Sequence, residues 1–162
     1  MQIAIVSDTH MPRGARAIPP ACLEHCAGAD AILHAGDLSD VSVLDLLREL
    51  GPPVHAIHGN VDSAAIRALL PARRELTLGA VRVGMTHIPG PARGRLERLR
   101  ADFPGCDAVV FGHTHMPEHD ELDGFQIFNP GSPTERRRAL VHTMGLATIE
   151  GPRISFELQV LG

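Results

Sequence analysis

Five short apolar runs, each breaking off at an Asp, Asn or His, constrain this 162-residue chain more than any other feature. Residues 2–6 end in Ser7-Asp8-Thr9-His10, residues 30–35 deliver Gly36-Asp37, and residues 54–58 stop at Gly59-Asn60-Val61-Asp62. Residues 81–85 run out at Thr86-His87, and Val109-Val110-Phe111 stops at Gly112-His113-Thr114-His115. Near-continuous apolar runs of this length read as buried strands. Helical segments separate the first three. A short one near residues 20–27 opens on Pro19-Pro20, since proline is tolerated in a first turn. A second, capped by Ser39 or Asp40, carries the apolar stripe Val43, Leu44, Leu46, Leu47 and Leu50 and stops at Gly51-Pro52-Pro53. A third spans about 63–70, before Pro71. Three βα units in succession predict an α/β sheet with crossover helices.

The rhythm then changes. Residues 75–78 and 81–85 read as a hairpin around Gly79-Ala80, followed by a helix near 92–101 whose arginines are expected on a solvated face. Strands near 120–122 and 125–128 turn at Asp123-Gly124 and lead into Asn129-Pro130-Gly131-Ser132-Pro133. A final hairpin, 145–150 and 153–160, turns at Gly151-Pro152. We expect one domain over residues 1–162.

Composition narrows the function. A net charge of -4 gives no nucleic-acid footprint. No apolar stretch approaches the ~20 residues of a membrane span, and no charged, then apolar, leader precedes the first strand. The expected location is the cytoplasm. Three cysteines without framework spacing exclude a disulfide scaffold, and Cys22 and Cys26 read as small buried apolar side chains rather than a metal site around His25.

The residues past the strand ends carry the chemistry. Loops at the carboxyl ends of parallel strands converge on one crevice. That would gather Asp8, His10, Asp37, Asn60, His87, His113 and His115. Asp8 and His10 are spaced to bind one ion, and an extended or gently curved loop would aim His113 and His115 into the same cleft, with Gly112 allowing the sharp turn. Seven donors exceed one catalytic metal but suit two if a carboxylate bridges. Asp37, alone after Gly36, is the expected bridge. Asp8, His10, Asp37 and His115 would hold the first ion, and Asp37, Asn60, His87 and His113 the second. Histidine-rich ligation disfavours Mg and Ca. Two divalent transition-metal ions are therefore expected, manganese first, with nickel, iron or zinc as alternatives. Asn60 contributes a neutral oxygen, leaving the centre positive enough for a phosphate. The chemistry implied is attack on phosphorus by a hydroxide that the dinuclear centre activates.

Other polar residues have plainer expectations. His34 reads as a packed core residue, and His58 as a strand-end side chain with a supporting role beside Gly59 as the alternative. Asp40 reads as a helix cap. Asp62 is expected to cap the helix after Asn60, the alternative being a hydrogen bond to a ligand imidazole. Arg136-Arg137-Arg138 reads as solvated, with Arg136 the candidate phosphate contact. Gly131-Ser132 would fix a turn behind the site.

In order, Asp8-x-His10, Gly36-Asp37, Gly59-Asn60-x-Asp62, His87 and Gly112-His113-Thr114-His115 resemble the motifs of the calcineurin-like metallophosphoesterases. Asn129-Pro130-Gly131-Ser132 is similar to the small single-domain phosphodiesterase branch of bacteria and archaea. The resemblance covers about residues 2–160. It implies a four-layer α/β/β/α sandwich of two mixed sheets flanked by helices, a small phosphate-ester substrate, and the ligand allocation given above. Asp37, Asn60 and His87 are the expected catalytic residues, with Asn60 and Arg136 as substrate contacts. Two positions depart from the family. Val61 stands where many members carry a leaving-group histidine, and Ile88-Pro89 follows His87 where many show Gly-His. Weak leaving-group protonation implies a preference for activated phosphodiesters. The alternative is a protein-binding scaffold, since one subunit of the eukaryotic retromer coat resembles this branch. Association into homo-oligomers is compatible with either.

Overall fold

Side chains alternate across each strand, and that alternation builds the layers. The computed structural model describes residues 1–162. The elements run β1 (Gln2–Val6), α1 (Pro20–Ala27), β2 (Ala31–His34), α2 (Val41–Glu49), β3 (Val54–Ala56), α3 (Ala64–Leu69), β4 (Arg73–Leu78) and β5 (Val81–Thr86). They continue with α4 (Arg95–Asp102), β6 (Ala108–Val110), β7 (Glu118–Leu122), β8 (Phe125–Asn129), β9 (His142–Glu150) and β10 (Arg153–Leu161). One sheet has the order β10-β9-β1-β2-β3 and the other β4-β5-β6-β8-β7. Both are mixed. β1, β2 and β3 run parallel, as do β5, β6 and β8, while the outer strands pair antiparallel.

Ile3 and Ile5 of β1 face Val83, Met85, Val110 and Phe128 of the other sheet, forming the core between the sheets. Ala4 and Val6, one residue out of phase, pack under Cys22 and Cys26 of α1 and under Val43, Leu44 and Leu47 of α2. Val109 and the Phe111 that follows β6 meet Leu96 and Leu99 of α4 on the outer face of the second sheet. Burying each large side chain contributes on the order of 2 kcal/mol. The result is the expected helix–sheet–sheet–helix stack, with the two cysteines packed as expected.

The helix caps follow chain chemistry. Asp40 caps α2 by accepting the Ser42 N–H at 2.9 Å. Ser63 caps α3, accepting from Ile66 N–H at 3.3 Å, so Asp62 is not the cap. α4 starts later than expected, and its arginine face is not wholly solvated. Arg95 is buried, pairs with Glu118, lies 5.4 Å from the centre of the Phe111 ring, and donates to the Gly90 carbonyl. Arg98 donates to the Pro89 carbonyl at 2.9 Å. These two arginines fasten the Pro89-Gly90-Pro91 loop after β5, because a long arginine can bury its stem and still reach a carbonyl. No helix is long and apolar enough to cross a membrane.

Candidate metal centre

The carboxyl ends of all six parallel strands open on the same edge of the sandwich. Hydrogen bonds between their loops close it: the Asp8 carboxylate takes the His113 N–H at 3.0 Å, and His87 Nδ1–H donates to the Ala35 carbonyl at 2.7 Å. The loops are built tightly. Asp8, His10, Asp37, His113 and His115 have φ of 56°, 46°, 57°, 71° and 60°. Asp and His tolerate this left-handed region better than most residues, yet each still costs on the order of 1 kcal/mol. The Gly-His-Thr-His segment is therefore tightly curled, not extended or gently curved as expected, with Thr114 N–H on the Gly112 carbonyl at 2.8 Å.

The curl sends the two histidines to different groups. Asp8, His10 and His115 bring their ligand atoms within 4.8 Å of one another, and so do Asp37, His87 and His113. Asp37 lies between the groups, its Oδ2 being 3.7 Å from His10 Nε2 and 3.1 Å from His87 Nε2. Asn60 joins the second group, its Oδ1 lying 3.0 Å from His113 Nδ1. All seven expected donors are thus brought to one place.

Each carboxylate is held by one oxygen and leaves the other free. Asp8 Oδ2 accepts from Ser7 Oγ–H at 2.7 Å as well as from His113, while Oδ1 faces His115 Nε2 at 3.2 Å. Asp37 Oδ1 accepts the Val61 N–H at 3.0 Å. The imidazoles are oriented from behind. His87 Nδ1 donates to Ala35, and His115 Nδ1 donates to the Glu135 carbonyl at 2.6 Å, so each ring in its neutral form aims an Nε2 lone pair inward. His115 Nε2 is 3.1 Å from His10 Nε2, and the buried Asp8 Oδ1 and His87 Nε2 have no hydrogen-bond partner. Acceptors crowding acceptors is unfavourable unless a cation sits among them. The residues fit divalent metal.

The charges agree. Burial opposes ionisation of Asp8, but the imidazoles of His10, His115 and His87 around it, through the positive charge they carry when protonated, hold its carboxyl well below the usual range. Asp37 is lowered too, burial being outweighed by His87 and by the Val61 N–H. Burial would depress His87, but Asp37, Asp8 and the Ala35 carbonyl keep it above the ordinary imidazole value. His113 is depressed by burial and by His87.

Two glycines set the approach distances. A Cβ on Gly112 would lie 2.0 Å from Ser7 Oγ and 2.7 Å from Asp8 Oδ2, and one on Gly59 would lie 2.0 Å from Asp37 Oδ1. Gly112 thus serves close contact with Asp8; its φ is not among the positive ones, so the sharp turn expected there is not its role.

Supporting residues depart from expectation in places. Asp62 accepts the N–H groups of Asp37, Ser39 and Gly59 at 3.0, 2.6 and 2.6 Å, stapling the loops after β2 and β3 rather than contacting an imidazole. His34 is buried as expected, but it is also wired to the site loops. Its Nε2–H donates to Thr9 Oγ1 at 3.1 Å and its Nδ1 accepts the Gly36 N–H at 3.2 Å. Burial pushes its pKa down to about 4. His58 Nδ1 donates to the Gly59 carbonyl and touches no ligand. Ser132 Oγ donates to the Asp8 carbonyl at 2.8 Å, the turn behind the site that was expected. Arg136 Nη1 donates to the Leu140 carbonyl at 2.9 Å, and Arg137 is the arginine that reaches the His113 carbonyl, at 3.5 Å. Beside the second group lies a cleft of about 270 Å³, lined by His58, Asn60, Arg67, Arg73, Thr86 and His87 among others. Glu135, not foreseen as part of the site, enters it from the loop after β8. The only sequence hint was its place beyond Gly131-Ser132.

Known proteins share this chain's sequence and fold. The chain is 36% identical over 160 residues to a probable metallophosphoesterase of Methanothermobacter thermautotrophicus, covering 98% of this chain and 91% of that one. It is 35% identical over 150 residues to a probable metallophosphoesterase of Methanocaldococcus jannaschii, covering 91% and 76%. Vacuolar Protein Sorting 29 from Cryptosporidium parvum has the same fold, with a TM-score of 0.86 at 22% identity over 99% of this chain and 91% of that one. The model of the calcineurin-like phosphoesterase superfamily domain matches residues 1–151, and the chain belongs to that superfamily.

Proposed function

We propose that the protein is a phosphodiesterase whose centre holds two divalent transition-metal ions, manganese first. The observation that carries this reading is the pairing of two inward-facing donor groups, Asp8/His10/His115 and Asp37/His87/His113, that meet at the Asp37 carboxylate. When bound, the ions supply Lewis acidity, activating a water and neutralising phosphoryl oxygens. The chain's own residues do the rest. Asp37 spans both groups and fixes their separation. Asn60 lies exposed at the mouth of the second group and presents its amide to an incoming phosphate oxygen. His87, locked by Ala35, keeps its Nε2 turned into the site. Arg136 reaches the cleft only by releasing Leu140.

Val61, half exposed beside Asn60, cannot hand a proton to a leaving group. Esters with good leaving groups need the least such help, so activated phosphodiesters are the substrates the site suits best. The substrate is a small phosphate ester, and the protein acts in the cytoplasm. The test is hydrolysis of bis(p-nitrophenyl) phosphate by metal-stripped protein, with Mn, Ni, Zn or Mg restored singly, beside Asp37→Asn. Turnover restored by a metal and lost in the variant supports the reading. Faster turnover of an alkyl monoester at equal concentration would remove the diester preference. The fold shared with a Vps29 chain favours a second reading, a protein-binding scaffold, which folded protein inert with every metal would support.

A further inference from the structure

We infer that Glu135 is an additional carboxylate ligand of the first metal ion, supplied by the loop after β8; this rests on the dinuclear reading above. Five of the six parallel strand ends carry the donors already described. The sixth, β8, leads through Asn129-Pro130-Gly131-Ser132 to Glu135, and both halves of that residue meet the first donor group. Its carbonyl takes the His115 Nδ1–H at 2.6 Å. Its carboxylate Oε2 lies 3.6 Å from His10 Nε2, too far for a hydrogen bond and near enough for two donors on one ion.

The two carboxylate oxygens differ. Oε1 faces Arg16 at 3.5 Å and Arg13 at 4.0 Å, an ordinary ion pair at the rim. Oε2 is buried and has no hydrogen-bond partner, the same condition as Asp8 Oδ1 and His87 Nε2. An ion pair accounts for the first oxygen and leaves the second unexplained. Arg16 also donates from Nη1 to the His10 carbonyl at 3.2 Å, so one guanidinium sets the carboxylate and the loop carrying His10 relative to each other. The backbone is fixed as well: Ser132 Oγ accepts the Glu135 N–H at 2.9 Å while donating to the Asp8 carbonyl. Thr134 Oγ1 donates to the Thr9 carbonyl at 2.7 Å. A side chain held this firmly, with one oxygen turned from solvent toward an imidazole, is placed as a donor.

Metal binding tests this without reference to turnover. Metal-stripped full-length protein is dialysed to equilibrium against graded Mn(II), and bound Mn is counted for wild type, Glu135→Gln and Glu135→Asp. Wild type is expected to take two ions. Both variants should take one as wild type does and bind the other about 10- to 100-fold more weakly. Glu135→Asp keeps the charge but withdraws the oxygen by a methylene, so its loss marks direct ligation. Low-temperature Mn(II) electron paramagnetic resonance should show the coupled pair replaced by isolated Mn(II) at matched loading. Two sites of unchanged affinity in both variants overturn the inference. A loss confined to Glu135→Gln also overturns it, since charge at a distance would suffice. Wild type that binds no Mn(II) removes this inference together with the dinuclear reading. Wild type with two sites and no esterase activity removes only the enzymatic one. Circular dichroism of the metal-free variants separates unfolding from weakened ligation, and Glu135→Asp keeps the test open if Glu135→Gln does not fold.

Discussion

The two donor groups share the Asp37 carboxylate but sit in different surroundings. In the first, Asp8, His10 and His115 are 0%, 5% and 0% exposed. In the second, His87 is buried, His113 is partly exposed, Asn60 is exposed, and a cleft lies alongside. A closed donor set keeps an ion from exchanging its ligands with solvent, whereas an open one leaves positions for substrate oxygens. On the proposed function, the first group is the holding side of the centre and the second its working side.

The largest expected effect tests the link between the sides. Asp37→Asn removes the shared charge, and hydrolysis of the diester should fall by about 10³-fold or more. A fall in one ion's affinity with turnover intact would show that the sides do not depend on each other.

Next comes acidity behind the holding side. His34 is neutral when folded, since its Nδ1 accepts from Gly36 while its Nε2–H donates to Thr9. Its pKa falls from 6.5 to about 4 on folding. A depressed pKa gives stability that is whole above 6.5 and is lost as pH drops toward 4, because the unfolded chain takes the proton first. The amount is about 3 kcal/mol. Urea unfolding of metal-free protein at pH 7 and pH 4.5 reads it, as the difference between wild type and His34→Gln. That subtraction cancels His87, whose raised pKa acts in the opposite sense. Parallel pH curves for the two proteins would count against it.

The close-approach glycines on the two sides are expected to behave alike. Gly112→Ala forces a methyl against buried Ser7, Asp8 and the Ala35 carbonyl, and should cost about 2–3 kcal/mol. Gly59→Ala drives a methyl against the Asp37 carboxylate and, at 2.6 Å, the Asp37 backbone nitrogen, in a loop held by Asp62, so about 2–3 kcal/mol is expected there as well. A Gly59→Ala loss well below that of Gly112→Ala in a denaturant titration would show that the loop on the open side yields where the closed side does not. The smallest effect is Asn60→Ala. Metal-free stability should change by no more than about 0.5 kcal/mol at this exposed position, while the second ion's affinity drops about tenfold.

Much of this was written in short stretches of chain. The runs ending at Asp8, Asp37, Asn60, His87 and His113 are the strand ends that meet, and Asp40 caps its helix as its chemistry suggests. Misread residues were those whose partners lie far along the chain. Asp62 precedes a helix and looks like its cap, yet its carboxylate turns back to Asp37, 25 residues away. Arg95 sits in a run of exposed arginines but is drawn inward by Glu118, 23 residues on.

The sequence by itself determined which donors the protein has, because residue type and strand periodicity are local properties. Tertiary structure decided their sorting. His113 and His115 are two positions apart, and only the positive φ at each turns one toward Asn60 and the other toward His10, 105 residues away. It also decided that β8 lies parallel beside β6, which carries Glu135 to the same edge. Strand pairing joins residues without regard to their distance along the chain, and a local pattern holds no record of it.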